Sequence, residues 1–255
     1  MRYRILSGQI TGIWLFALAA IGTHAGAETI NVAVASNFAT TMHVIKQRFE
    51  AEQDHQINII TGSSGKHFAQ IINGAPFDLF LSADSERPRQ LEIRGHVAIG
   101  RRQVYAIGQL ILWSRRPDPP LTETSLLQHE HNGLRRLALA NPNLAPYGRA
   151  AVEVMTKLGV YEQLQAKLVM GENVSQAFQF TYTGNAEFGF VALSQALALG
   201  QSDSGWHIPL DYYQPISQEM VLLSTRAGAR ALFVFLQSAA MAPILREHGY
   251  VSPQR

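Results

Sequence analysis

The chain has 255 residues, 47% hydrophobic and 16% charged, which is enough apolar material for one large domain or two modest lobes. Lys and Arg total 21 against 19 Asp and Glu, and two of the basic residues are Arg2 and Arg4. The chain beyond the N-terminal segment is therefore formally neutral and gives no argument for a nucleic acid or an anionic membrane as partner. The absence of cysteine excludes disulfides, thiol chemistry and a lipid-modified cysteine.

The N-terminus reads as a secretory signal. Arg2 and Arg4 carry its charge, and Ile10 to Ile21 is an apolar run too short for a comfortable membrane span. Ala25-Gly26-Ala27 offers small residues for cleavage. The expectation is a signal peptide over 1–27 and a freely soluble exported chain from Glu28.

Thr29 to Ala35 alternates and is rich in Val and Ile, a strand. Ser36-Asn37 offers helix-cap chemistry, and Phe38, Met42, Ile45 and Phe49 recur at helical spacing. The pattern repeats at once. Ile57 to Thr61 is a strand, Gly62-Ser63-Ser64-Gly65-Lys66 follows, and Phe68, Ile71 and Ile72 mark one face of a helix. Phe77 to Leu81 is a third strand, ending in Ser82-Ala83-Asp84 before a helix that runs to about Arg94. Three βα units in succession imply a parallel sheet, whose ligands bind beyond the carboxyl ends of its strands.

The Gly62–Lys66 stretch sits where a strand meets a helix. The first N–H groups of a helix have no partner within it, and the helix dipole adds partial positive charge, so the place suits an anion. It equally suits an ordinary cap and turn. A nucleotide-binding loop is excluded, because Ile60 and His67 stand where Gly and Ser or Thr are required. A nucleophile elbow fails because Gly65 directly follows Ser64. Lys66 falls off the Phe68–Ile71 face and reads as solvated.

Val104 to Ser114 is long and apolar with Gly108 inside it, a crossover between lobes. Arg115 to Pro120 is a surface turn. A second α/β block follows: a strand over 137–140, the segment Asn141 to Gly148, then a helix through Val152 and Met155. Lys167 to Met170 is a strand that turns through Gly171-Glu172-Asn173 into a helix near Val174, and Phe188 to Ala192 is a buried strand. The chain returns through Pro215 to a strand over 220–224 and a helical tail over 227–249, with Leu232, Phe235 and Leu236 facing the core. Two crossovers joining two α/β lobes suit a hinged clamp: 28–108 plus 219–255 as lobe one, 109–218 as lobe two.

Several stretches carry a family likeness: Val34-Ala35-Ser36-Asn37-Phe38, Gly62-Ser63-Ser64-Gly65-Lys66, Gly74-Ala75-Pro76-Phe77-Asp78-Leu79-Phe80-Leu81-Ser82-Ala83-Asp84, Ala145-Pro146-Tyr147-Gly148, Glu172-Asn173-Val174 and Pro215-Ile216 with Gln218. Together they resemble the periplasmic molybdate-binding proteins of ABC transporters, over essentially the whole mature chain. The resemblance implies a two-lobed α/β type II periplasmic-binding-protein fold with two hinge crossovers, and a monomeric binder with no catalytic role and no cofactor. It implies molybdate or tungstate as ligand and an inner-membrane permease as partner. It places Ser36 and Ser64 as hydroxyl and amide donors to the oxyanion, Asn37 as a contributor in one branch, and Tyr147 and Val174 as backbone donors from lobe two. Molybdenum would be held as molybdate through these same residues. Some members add a Tyr hydroxyl at the end of the strand 188–192, where this chain has Ala192.

The residues suit such a shell. A tetrahedral dianion only accepts hydrogen bonds, and Ser36, Asn37 and Ser64 can each offer side-chain and backbone donors. Two alternatives compete. A ferric-ion-binding transport protein of the same fold would use Tyr212 and Tyr213 with Asp211, although a Tyr pair after a strand more often serves interlobe packing. A secreted serine hydrolase would need Ser64, one of nine His, and Asp78 or Asp84. Asp78 reads instead as a loop-orienting group, and His43, His55 and His67 as exposed.

Overall fold

The computed structural model describes residues 26–98, 100–115, 120–128 and 134–253. The signal segment up to residue 25 and positions 116–119 of the surface turn lie outside the described residues. The chain forms β1 (Thr29–Ala35), α1 (Ala39–Glu52), β2 (Gln56–Gly62), α2 (Ser64–Ile72), β3 (Leu79–Leu81), α3 (Glu86–Ile93), β4 (Arg102–Gly108) and β5 (Leu110–Trp113). It continues with α4 (Thr124–Leu127), β6 (Leu137–Ala140), α5 (Pro146–Lys157), α6 (Tyr161–Leu164), β7 (Leu168–Gly171), α7 (Val174–Tyr182), β8 (Phe188–Ala192) and α8 (Leu193–Leu197). It ends with β9 (Trp206–His207), β10 (Ile216–Leu222), α9 (Ala227–Phe235) and α10 (Met241–Glu247).

The strands make two five-stranded sheets, β2-β1-β3-β10-β4 and β7-β6-β8-β5-β9. In each, parallel strands at one end pass into an antiparallel partner that arrives by crossover: β10 against β3 and β4, β5 against β8 and β9. Alternation decides which face each side chain joins. Ile30, Val32 and Val34 pack on Phe38, Met42, Ile45 and Phe49. Ala33 points the other way, with Ile71, Phe80 and Leu91. In the second sheet Leu110 and Leu112 face the main core, while Ile111 and Trp113 face Val191 and Leu193. This is a two-lobed α/β fold.

The apolar run 104–114 resolves into β4 and β5, in different sheets, with Gln109 alone between them. Gln109 Nε2 donates to Gly249 O at 2.9 Å and the Leu110 N–H donates to the Tyr213 hydroxyl at 3.1 Å, which pins the crossover at both ends. Gly108 is a close-approach position: a Cβ there would lie 2.3 Å from the Tyr147 hydroxyl oxygen and 2.7 Å from Gln218 Nε2. The return strand β10 begins at Ile216, so Gln218 lies on the first sheet.

The helical tail is two helices, not one. A continuous helix would set Pro243 in its interior, where the ring clashes with a carbonyl and no N–H is available. The chain turns after Phe235 and restarts at Met241, which moves Pro243 into the first turn of α10. Leu232 and Leu236 are buried as expected, and Phe235 is partly so. Asp78 is buried, accepts the Asn31 N–H at 2.8 Å and meets the Arg226 guanidinium at 3.1 Å. It ties the start of β1 to the turn before α9. Asp78→Ala should therefore cost about 1–3 kcal/mol of unfolding free energy in urea, because the half-buried Asn31 N–H loses its acceptor and the Arg226 guanidinium its partner. Asp78→Asn, which keeps an oxygen there, should recover most of that.

Candidate oxyanion site

Four strand-to-helix turns converge on one small pocket: Ala35–Asn37 at the end of β1, Gly62–Ser64 at the end of β2, Ala145–Tyr147 at the start of α5 and Asn173–Val174 at the start of α7, with Ala83 beside them. Ser36, Asn37 and Ser64 come from the first lobe and Tyr147 and Val174 from the second, so all five sequence-derived site residues are brought together. Among the described residues no charged side chain lines the pocket. Its free volume is about 10 Å³, the room of a single water. The lobes thus stand closed, and entry of a larger tetrahedral anion requires them to part. A wider groove of about 510 Å³ lies in the first lobe between β4 and the last two helices and shares no lining residue with this pocket.

The local chemistry separates the two serines of the Gly62–Lys66 stretch. Ser63 is the helix cap, its Oγ accepting the Lys66 N–H at 3.3 Å. Ser64 is the first helical residue, and its Oγ accepts the Ala83 N–H at 2.9 Å, which leaves its own proton to donate. The Gly65 N–H goes to Leu144 O and the His67 N–H to Ser63 O. Among the described residues the Ser63 and Ser64 N–H groups of this turn have no protein acceptor. In the second lobe Asn173 Oδ1 caps α7 by accepting the Gln176 N–H at 3.1 Å, and the Gly148 and Arg149 N–H groups of α5 go to Ala145 O. The Val174 and Tyr147 amides stand beside these closed bonds at helix N-termini, where partial positive charge gathers.

Asn37 departs from expectation. Neither it nor Ser36 caps α1 through its side chain. The Asn37 amide points inward and donates to Gln218 Oε1 at 3.0 Å and the Tyr250 hydroxyl at 3.2 Å. Its side-chain protons are committed, so its contribution to the pocket is through the backbone. Tyr105 also donates to Gln218 Oε1 at 2.9 Å. Tyr250 and Ser194 hydroxyls donate to Asn37 O at 2.8 and 3.0 Å, and Ser175 Oγ to Ser36 O at 3.2 Å. Because a trans peptide sets N–H opposite C=O, fixing the Ser36 carbonyl turns the Asn37 N–H the other way. Nothing local in the sequence marks Tyr250 or Ser194 for this task; they lie 213 and 157 residues from Asn37. Ala192 is buried in the second-lobe core and supplies no polar group.

Burial raises the Tyr105 and Tyr147 phenols well above their usual value and takes Tyr250 to about 12, so all three stay protonated near neutral pH. His67, expected at the surface, is buried. Its Nε2 lies 3.2 Å from Val34 O and its Nδ1 3.1 Å from Gln70 Oε1, with Phe77 and Phe80 edge-on. His55 is buried too, its Nδ1 accepting the Glu28 N–H at 3.3 Å, while His43 is exposed. His67 lies one helical turn before Ile71 on the buried face of α2, and the end of β1 supplies a carbonyl that a ring nitrogen can meet. Lys66 is about half exposed and reaches Glu172 in the second lobe at 3.0 Å.

Neither competing constellation assembles. The Tyr213 hydroxyl accepts the Leu110 N–H, and the Tyr212 hydroxyl donates to Glu123 at 3.0 Å, so the pair packs in the second lobe rather than between the lobes. Among the described residues no group of three His, Cys, Asp or Glu could hold a metal ion. Ser64 has Ala83 as its partner, not a His, and the Asp84 carboxylate is taken by Arg87 and Arg149.

Two lobes closing on a neutral pocket of helix N-termini define a solute-binding protein of the clamp type. The family model for bacterial extracellular solute-binding proteins matches residues 30–251, and the chain belongs to that family. It is 42% identical to the molybdate-binding protein ModA of Azotobacter vinelandii over 231 residues, covering 89% of this chain and 91% of that one. It is also 42% identical to the ModA of Rhodobacter capsulatus, over 89% and 90% of the two chains. The solved Azotobacter vinelandii periplasmic molybdate-binding protein superposes with a TM-score of 0.83 at 37% identity, over 88% of this chain and all of that one.

Burial lowers the His67 pKa below its ordinary 6.5, outweighing the two hydrogen bonds that would raise it. Unfolding then takes up a proton as the pH falls. The stability that neutral His67 contributes is complete above 6.5 and is lost as the pH drops through the lower folded value. Thermal melts from about pH 7.5 to about 5 should fall more steeply for the unaltered protein than for His67→Gln. Parallel slopes would show that His67 is not the group responsible.

Proposed function

We propose that this protein is a periplasmic solute-binding protein that captures molybdate or tungstate for an ABC importer. The observation that carries the reading is the convergence of Ser36, Asn37, Ser64, Tyr147 and Val174 from both lobes on one uncharged pocket. In this reading the Ser36 and Ser64 hydroxyls and the backbone amides of all five residues hold the four oxygens of one dianion. Hydrogen bonds to a charged acceptor are about twice as strong as neutral ones, so no buried Lys or Arg is required. The protein acts as a monomeric binder without catalysis, exported by its N-terminal signal, and hands its ligand to a membrane permease. The relatives named for molybdate binding, and the solved periplasmic molybdate-binding protein of Azotobacter vinelandii, support this assignment.

Calorimetry with the mature protein should give one molybdate per chain, and competition should place molybdate and tungstate well ahead of sulfate and phosphate. A protonated phosphate oxygen would point its O–H at donors and leave groups mispaired, at about 1–3 kcal/mol each. Sulfate is smaller, so a rigid closed shell would hold some of its oxygens beyond good hydrogen-bond length. Affinity should stay flat between about pH 6 and 8, since hydroxyls and amides do not titrate there. Comparable sulfate affinity would remove the size argument.

Ser64→Ala and Ser36→Ala should each weaken molybdate binding by about 1.5–3 kcal/mol, the worth of a hydrogen bond to a charged group. Lys66→Ala should cost much less, because its pair with Glu172 is half exposed and screened. A greater loss for Lys66→Ala than for Ser64→Ala would replace the neutral shell with a direct ion pair.

A further inference from the structure

We propose that Gly65, Asp84 and Arg149 form a latch outside the anion pocket that sets how long the closed clamp persists, an inference that rests on the oxyanion-binding reading above. The residues lie along one edge of the cleft. On the first-lobe side are the starts of α2 and α3, and on the second-lobe side the loop 141–145 and α5. None of the three lines the pocket.

Asp84 is built to be shared. Its Oδ1 accepts from Ser82 Oγ at 3.0 Å and from the Arg87 N–H at 3.2 Å, which fixes the carboxylate. Its Oδ2 takes the Arg87 guanidinium from its own lobe and Arg149 Nη2 from the other at 2.8 Å. Arg87 also donates to Asn143 O across the cleft at 3.1 Å. The Asp84 side chain is only 10% exposed and that of Arg87 12%, while Arg149 is 43% exposed, so the pair within the first lobe is screened less than the contact across the cleft. When the lobes part, Arg149 returns to water while Arg87 still holds Asp84. Opening therefore strands no buried charge, and the contact can cycle.

Gly65 supplies the steric half of the latch. Its N–H donates to Leu144 O at 2.9 Å. A Cβ at this position would lie 2.9 Å from that same oxygen, 3.0 Å from Leu144 Cα and 3.1 Å from Arg87 Nη2. Two of those atoms are backbone of the opposite lobe and cannot swing aside as a side chain would. Only a residue without a Cβ lets the second lobe seat here. This accounts for the Gly65 and Asp84 positions of the two stretches that the anion shell leaves unexplained.

The test is stopped-flow association and release of molybdate for the unaltered full mature chain, Arg149→Gln and Gly65→Ala, with melts of each ligand-free protein. Arg149→Gln should speed release by about threefold to tenfold and leave the association rate nearly unchanged. Added salt should speed release from the unaltered protein more than from this variant. Gly65→Ala should speed release by about tenfold or more, while the ligand-free melting temperature holds or rises, because Ala is the better helix former. That combination separates blocked closure from damage to the fold. Unchanged release in both variants, or a change in the association rate alone, would overturn the latch. Failure of the unaltered chain to bind molybdate would instead overturn the functional reading. The latch is then judged by small-angle scattering of ligand-free protein, where Arg149→Gln should enlarge the radius of gyration and an identical curve counts against it.

Discussion

A doubly charged oxyanion in a pocket without charged side chains can be held only by hydrogen-bond donors that the fold has left unspent. The arrangement around Ser64 depends on this constraint. A helix start normally closes its own N–H groups with a cap, and here Ser63 and Asn173 do so for the third residues of their helices. The adjacent first residues, Ser64 and Val174, are thereby left to face the pocket. Two lobes supply this unit by the same device, a parallel strand running into a helix, which is why the site needs no unusual residue type.

The constraint extends behind the pocket. The turn at Ser36-Asn37 has its carbonyls tied back by Ser175, Ser194 and Tyr250, and its side-chain amide tied to Gln218. These bonds join both lobes to a single turn, so closing the clamp and orienting the turn are one event. The crossovers suit the same purpose. With Gln109 alone between two sheets there is little slack, and Gly108 lets the Tyr147 ring lie against the crossover when the lobes are shut.

What the sequence made legible follows the range of the interactions involved. The β1 strand, the helix after Gly62 and the turn into Val174 are set by alternation, helical spacing and caps within a few residues, and they stand where the patterns put them. The gathering of Ser36, Ser64, Tyr147 and Val174 was legible through family resemblance rather than through spacing. The carbonyl partner of His67, the inward turn of Asn37 and the shared carboxylate of Asp84 depend on residues from 33 to 213 positions away, which no local period encodes. The break in the C-terminal helix was local, and the presence of Pro243 was the signal for it.

The most direct test of the central claim is anomalous diffraction at the molybdenum or tungsten edge from crystals of the mature protein grown with the oxyanion. The account predicts one anomalous peak per chain, between the Ser36 and Ser64 hydroxyls and the Tyr147 and Val174 amides, with no Lys or Arg in contact. A peak beside Tyr212 and Tyr213, or one coordinated by Lys66 or Arg149, would contradict it.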